Sequence, residues 1–62
     1  MKTGDRAVLR ALPSSLAKYE GDTIIVKRVL DGDLAGWIEV IDTRPGEGRV
    51  EFRAPARCVI PV

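Results

Sequence analysis

The sequence predicts an all-β domain of about five short antiparallel strands, with one helical turn before the last strand. The first observation behind this is a set of short runs that alternate apolar and polar residues, clearest at Thr23–Leu30 and Arg49–Arg53. The second is that turn residues separate the runs, as in Asp-Gly-Asp at 31–33 and the Pro- and Gly-rich stretch 43–48. A chain of 62 residues is expected to form one domain, 1–62.

The N-terminal third is expected to hold one strand and one irregular segment. Asp5–Leu12 mixes apolar and charged residues without helical periodicity, which favours a strand. Pro13 ends this strand because proline donates no backbone hydrogen bond. The segment Leu12–Asp22 is the longest irregular one, and Ser14 or Ser15 is suited to cap a short helix within it.

The central strands follow from β-branched residues and from alternation. Thr23–Leu30 is rich in Ile and Val, and Trp37–Asp42 places Ile38 and Val40 on one face with Trp37 on the other. Because successive side chains of a strand point to opposite faces, one buried core is expected from the inward residues. Its predicted members are Leu9, Ile24, Val26, Ile38, Val40, Val50, Phe52 and Val59.

The last elements are a hairpin, a helical turn and an edge strand. Thr43–Gly48 is interpreted as a hairpin connection, since Pro45 presets φ and glycines accept left-handed conformations. Ala54–Arg57 fits a single tight helical turn, and Cys58–Val62 is expected as an edge strand, where Pro61 is tolerated. An edge strand leaves backbone groups unpaired, so self-association of the chain is a further expectation.

Composition excludes several classes of protein. Ten Lys and Arg against nine Asp and Glu give a formal net charge of +1, too small for a strong overall field. No apolar run has membrane-spanning length and no signal segment is recognisable, so a soluble cytoplasmic protein is expected. The single cysteine, Cys58, forms no internal disulfide, which agrees with a reducing compartment.

The residue types also predict a protein without catalytic residues, metal or cofactor. Histidine is absent, which removes the commonest general base and the usual zinc ligand. Cys58 lies in an apolar strand with no histidine to activate it, so we interpret it as an inert, packed thiol. The carboxylate pairs Asp31 with Asp33 and Glu47 with Glu51 are interpreted as turn and surface residues, since calcium loops need more oxygen ligands.

The order of these landmarks resembles that of a Src-homology-3 (SH3-like) small β-barrel of bacterial or phage type. A Gly-Asp turn, a strand, a strand that begins at Trp37, a hairpin, a turn led by Pro55 and a last strand follow one another over most of the chain. The resemblance implies a single SH3-like barrel in which Trp37 and Pro55 occupy the places of the family's peptide-groove residues. Tyr19 would lie over the barrel or along the binding rim. Cys58 replaces the tyrosine that the family carries after the proline turn, so a Pro-rich peptide is not the favoured ligand.

The function favoured by the sequence is a small non-enzymatic adaptor or regulator that docks a protein partner. The expected contact residues are Trp37, Tyr19 and Pro55, together with an Arg-rich C-terminal face formed by Arg44, Arg49, Arg53 and Arg57. Because arginine pairs with acidic side chains and with phosphates alike, an SH3-like module that binds RNA or DNA is the alternative. Glu47 and Glu51 interleave with these arginines. Nucleic-acid binding is favoured if the arginines converge without being neutralised by the two glutamates, and protein docking is favoured if they are neutralised.

An enzyme is the second alternative. The order Gly4-Asp5-Arg6, a Gly-rich hairpin and the segment Val50–Arg53 resembles the plasmid-encoded type II dihydrofolate reductases. That resemblance implies one active site built from four copies of a small SH3-like chain. We rank it last, because the segment Val-Glu-Phe-Arg keeps only the alternation of the family's Val-Gln-Ile-Tyr.

Overall fold

Five antiparallel strands form one sheet in the computed structural model of the chain, which describes residues 1–62. Three short 3-10 helices lie in the connections, and the chain contains no longer helix. The strands are β1 (Arg6–Leu9), β2 (Thr23–Val29), β3 (Trp37–Arg44), β4 (Gly48–Pro55) and β5 (Val59–Pro61). The 3-10 helices are η1 (Ser14–Tyr19), η2 (Gly32–Leu34) and η3 (Ala56–Cys58).

The strand order in the sheet is β4-β3-β2-β1-β5. The first four strands pair with their neighbours in sequence, and η3 then carries the chain across so that β5 pairs with β1. The all-β class, the five antiparallel strands and the helical turn before the last strand are therefore confirmed. None of the helices has the length and apolar character that a membrane span requires.

The sheet is not closed into the predicted barrel by strand pairing, because β4 and β5 remain its two edges. β5 has only three residues, and one of them, Pro61, has no backbone N–H to donate to a second neighbour. Strand β2 also departs from regular pairing: its register with β3 shifts between Val26 and Arg28. Such a bulge increases the local twist and bends the strand, which helps a short sheet curl around its core.

The inward side chains and η1 form one hydrophobic core. Six of the eight predicted core residues are buried in it, whereas Val50 and Phe52 are only partly buried and pack against its margin. Both belong to β4, which is an edge strand with a neighbour on one side alone. The nine members of the core are Ala7, Leu9, Tyr19, Ile24, Val26, Ile38, Val40, Ala54 and Val59.

The connection between β1 and η1 is held in an unusual backbone conformation. Ala11 has a φ of 56°, the only positive φ outside glycine, and β1 ends at Leu9 rather than at the expected Leu12. The carboxylate of Glu20 accepts hydrogen bonds from the backbone N–H of Ala11 at 3.0 Å and of Leu12 at 2.9 Å. The Cys58 thiol donates to the Ala11 carbonyl at 3.4 Å. The serine cap that the sequence suggested is absent, since η1 starts after Pro13 without a side-chain cap.

Replacing Ile24 with alanine should remove a large part of the stability. Ile24 is 1% exposed, and truncating a buried isoleucine costs about 3 kcal/mol through lost burial and the cavity left behind. Its neighbour Ile25 points to the other face and is 36% exposed, so Ile25→Ala is a matched control that should cost less than about 1 kcal/mol. Urea unfolding of both variants measures the difference. Equal losses would contradict the assigned faces of β2.

Replacing Ala11 with glycine should stabilise the chain. A left-handed φ strains an alanine but not a glycine, so Ala11→Gly should raise the free energy of unfolding by roughly 0.5 to 1 kcal/mol. Ala17→Gly in η1 is the control, because its φ is ordinary and the substitution should destabilise. Thermal and urea unfolding report both changes. A loss of stability in Ala11→Gly would show that the backbone of residue 11 is not left-handed.

Candidate functional site

Trp37 stands at the start of β3 with 40% of its side chain exposed. It pairs across the sheet with Pro55 of β4, and the neighbouring outward residue of β3 is Glu39. Glu39 lies between two arginines from the flanking strands, with Arg28 Nε at 3.2 Å and Arg53 Nε at 3.9 Å from its carboxylate. We call the surface formed by Trp37, Arg28, Glu39 and Arg53 the tryptophan face.

A second carboxylate continues the charged ladder of this face. Glu51 pairs with Lys27 of β2 and with Arg49, whose Nε lies 3.1 Å from the carboxylate. The hydrogen bond from Lys27 holds the pKa of Glu51 below its usual range, with a further contribution from Arg49. The ladder therefore alternates in sign, and its cations are already matched by carboxylates.

The other predicted contact residues divide into exposed and buried ones. Arg57 is exposed in η3 and makes no ion pair, whereas Tyr19 and Pro55 are buried. Tyr19 packs in the core, where its ring stacks on Phe52 with centroids 4.2 Å apart and planes 22° apart. Of the expected set, the surface is thus supplied by Trp37, Arg49, Arg53 and Arg57.

Arg44 lies away from the tryptophan face, at the far end of β3. Its guanidinium donates to the Lys18 carbonyl at 2.7 Å and to the Asp22 carboxylate at 3.1 Å. Its Nε lies 2.8 Å from Glu47, and the group sits 5.2 Å from the centre of the Tyr19 ring. Arg44 therefore joins η1, the start of β2 and the β3–β4 hairpin rather than facing solvent.

Beside Arg44 the structure contains a buried acid that the sequence analysis did not single out. Asp42 is 2% exposed, and its Oδ2 atom accepts no hydrogen bond from an amide, hydroxyl or cationic donor. Burial, and then the hydrogen bond and charge of Asp22, raise the pKa of Asp42 to about 6, against an opposing effect of Arg44. The signal was present in the alternation: Ile38 and Val40 face inward, so Asp42 two residues later faces inward too.

Asp42 belongs to the wall of a small polar pocket of about 200 Å³. This carboxylate pocket lies between the start of β2 and the end of β3, which pair with each other in the sheet. Its lining is formed by Asp22, Thr23, Asp42, Thr43, Arg44 and Pro45. A second pocket of about 170 Å³ lies on the charged ladder and is lined by Lys27, Glu39, Glu51, Phe52 and Arg53.

Comparison of the chain with protein-family models, with curated proteins and with solved structures yields no match. Function is therefore inferred from the arrangement of these residues.

Replacing Asp42 with asparagine should stabilise the chain above about pH 6 and leave it nearly unchanged near pH 4. The pKa of this carboxyl rises from 3.8 to about 6 on folding, so the folded state binds more protons than the unfolded state between these values. The stabilisation that protonated Asp42 contributes is complete below the pKa of the unfolded state. It is lost as the pH rises to the pKa of the folded state, and it is absent above that pH. The full effect is about 3 kcal/mol.

Urea unfolding of the parent and of Asp42→Asn at a series of pH values measures this difference. Asp33→Asn is the control, because Asp33 is an exposed carboxylate in the β2–β3 connection and its substitution should change stability little. A difference between the parent and Asp42→Asn that did not grow between pH 4 and 6 would show that Asp42 is not buried as a charged group.

Proposed function

We propose that this chain is a small SH3-like module that docks a protein partner on the tryptophan face, without catalysis. The strand order and the short helical turn between β4 and β5 support the SH3-like assignment, since they match the landmarks of that fold in order. Fold alone does not set function, so the proposal depends on the surface.

The observation that carries the proposal is the exposure of Trp37. Tryptophan is among the residues most enriched at the energetic centres of protein interfaces, and here 40% of it faces solvent in a chain with few aromatic residues. Leu34, in the neighbouring β2–β3 connection, is 37% exposed. An exposed tryptophan beside a charged rim is a usual composition of a protein-docking surface.

The charge arrangement favours a protein over a nucleic acid. Arg49 and Arg53 already lie beside Glu51 and Glu39, so a phosphate backbone would have to displace these carboxylates. Nucleic-acid surfaces instead present a continuous excess of positive charge. A protein surface with charges of both signs can pair with the alternating ladder, and such pairing sets orientation and association rate.

Photo-crosslinking from position 37 in an extract of the native host tests the proposal. A benzoylphenylalanine at position 37 should form a discrete adduct with a protein, whereas the same group at position 45, exposed in the hairpin at the other end of β3, should not. Trp37→Ala, introduced beside a benzoylphenylalanine at position 28 on the same face, should weaken the adduct at least about tenfold, as expected for a central anchor. Circular dichroism and thermal unfolding confirm that each variant folds.

Nuclease treatment and salt separate the two functions. The adduct should survive nuclease, and generic DNA and RNA should show no shift at roughly tens of micromolar protein at low salt. Arg53→Glu should slow association with the captured protein. An adduct that disappears with nuclease, or binding to generic nucleic acid that weakens steeply with salt, would contradict protein docking and support the nucleic-acid alternative.

A further inference from the structure

We propose that two copies of the chain pair through the outer edges of their β4 strands, so that the two sheets join into one across a two-fold axis. This pairing uses the backbone at the edge of the sheet, whereas docking on the tryptophan face is centred on Trp37 of β3. Arg53 takes part in both surfaces, but self-pairing requires only the purified chain. The two interactions can therefore be tested separately.

The outer edge of β4 carries free hydrogen-bonding groups. The N–H of Ala56, directly after β4, donates to the carbonyl of Gly36, directly before β3, at 2.7 Å, so the even-numbered residues of β4 face β3. Because backbone groups alternate in direction along a strand, those of Arg49, Glu51 and Arg53 point away from the sheet. No second strand lies there, and no hydrogen bond from a turn, loop or side chain reaches these groups.

The other edge of the sheet, β5, offers no free donor. The N–H of Arg10, directly after β1, donates to the carbonyl of Cys58, directly before β5, at 2.9 Å, so the even-numbered residues of β5 face β1. Of the two that remain, Val59 donates its N–H to the Ala56 carbonyl and Pro61 has no N–H. Of the two edges, β4 is therefore the one that can both donate and accept.

Nothing along β4 blocks a second strand. Proteins normally protect a free edge with a bulge, an inward charge or a proline within the strand. The register of β4 with β3 runs over eight residue pairs without a shift, and the one proline, Pro55, ends the strand. Its inward residues Val50, Phe52 and Ala54 are apolar, and the first two are only partly buried in a single copy. A second strand beside β4 covers both of them further.

The charges of β4 identify a second copy as the partner strand. On the outer face, strand pairing forms a row of alternating sign, with Arg28 of β2, then Glu39 of β3, then Arg53 of β4. The row ends at the edge with a cation, and opposite charges stabilise directly facing positions of neighbouring strands. An antiparallel second copy can place its Glu51 beside Arg53, and the two-fold axis then forms the same pair again.

The same charges favour this register over its neighbours. It brings the two Phe52 side chains opposite each other at the two-fold axis, on the inward face. The next register along the strand opposes Glu51 to Glu51 and Arg49 to Arg53, and like charges that face each other are destabilising. The register after that pairs Glu51 with Arg49 but aligns Arg53 with the hairpin turn, so less of the strand can pair.

Sedimentation and amide exchange followed by NMR test the pairing. A strand-edge interface is small, so we expect a monomer near about 1 µM and a dimer near about 1 mM. The amide protons of Glu51 and Arg53 should exchange at least about tenfold more slowly in the dimer, because they become hydrogen-bonded. The amide of Asp33, in the exposed β2–β3 connection, should exchange equally fast at both concentrations. A chain that stays monomeric, or a dimer that leaves the two edge amides unprotected, would overturn the proposal.

Exchanging the charges tests the register. Glu51→Arg and Arg53→Glu each place like charges opposite one another at both symmetric positions, and each should raise the dissociation constant of the dimer at least about tenfold. An equimolar mixture of the two variants restores both opposite-charge pairs, so it should dimerise about as tightly as the parent. Both side chains are exposed, and circular dichroism confirms that each variant folds.

Two further variants control for the change in net charge. Arg6→Glu lies on β1 and Asp33→Arg lies in the β2–β3 connection, and neither parent side chain makes an ion pair. Both variants should dimerise as the parent does. A mixture of Glu51→Arg and Arg53→Glu that associates no better than either variant alone would overturn the proposal. So would a loss of dimer in the two controls equal to that in the β4 variants.

Discussion

The arrangement around Arg44 is the interaction on which the rest of the structure depends. One guanidinium group reaches the Lys18 carbonyl, the carboxylates of Asp22 and Glu47 and the face of the Tyr19 ring. These groups come from η1, the start of β2 and the β3–β4 hairpin, and of these η1 lies outside the strand ladder. Arginine suits this position because its planar fork offers several donors and stacks on an aromatic ring at the same time.

This arrangement matters because the chain is small. A domain of 62 residues buries a modest fraction of its surface, and its edge strand β4 has a partner on one side only. Tyr19 covers part of that edge by stacking on Phe52, and the guanidinium of Arg44 lies 5.2 Å from the centre of the Tyr19 ring. The aromatic pair thus extends the core where the sheet itself ends. The position of η1 over the sheet depends on a polar contact as well as on burial.

The parts of the fold that depend on local pattern could be predicted, and the parts that depend on distant contacts could not. Alternation identified the inward residues of β2 and β3, and Trp37 follows as an outward residue at the start of its strand. The expected end of β3 at Asp42 was too early, since the strand runs to Arg44. That error concealed the inward position of Asp42, because a strand end is normally solvated.

Tyr19 was expected either over the barrel or along the binding rim, and its buried ring corresponds to the first of these placements. Only the approach of η1 to β4, which are far apart in sequence, shows that its ring stacks on Phe52. The neutralisation of the arginines also depends on contacts between residues that are distant in sequence. Arg53 meets Glu39 through strand pairing, whereas Glu47 and Glu51 were identified because they are close to the arginines along the chain. Charge patterns along a sequence therefore describe a β surface only after the register is known.

The buried carboxyl of Asp42 is an exception among the inward side chains of this small domain. Nothing in the core requires an acid at this position, because its cross-strand partner Val50 is apolar and an apolar residue would continue the inner face. A charged group there opposes folding above its raised pKa, and Arg44 offsets only part of that effect. A small domain with little stability to spare that retains such a group is consistent with a role in binding, since strain of this kind concentrates at functional sites.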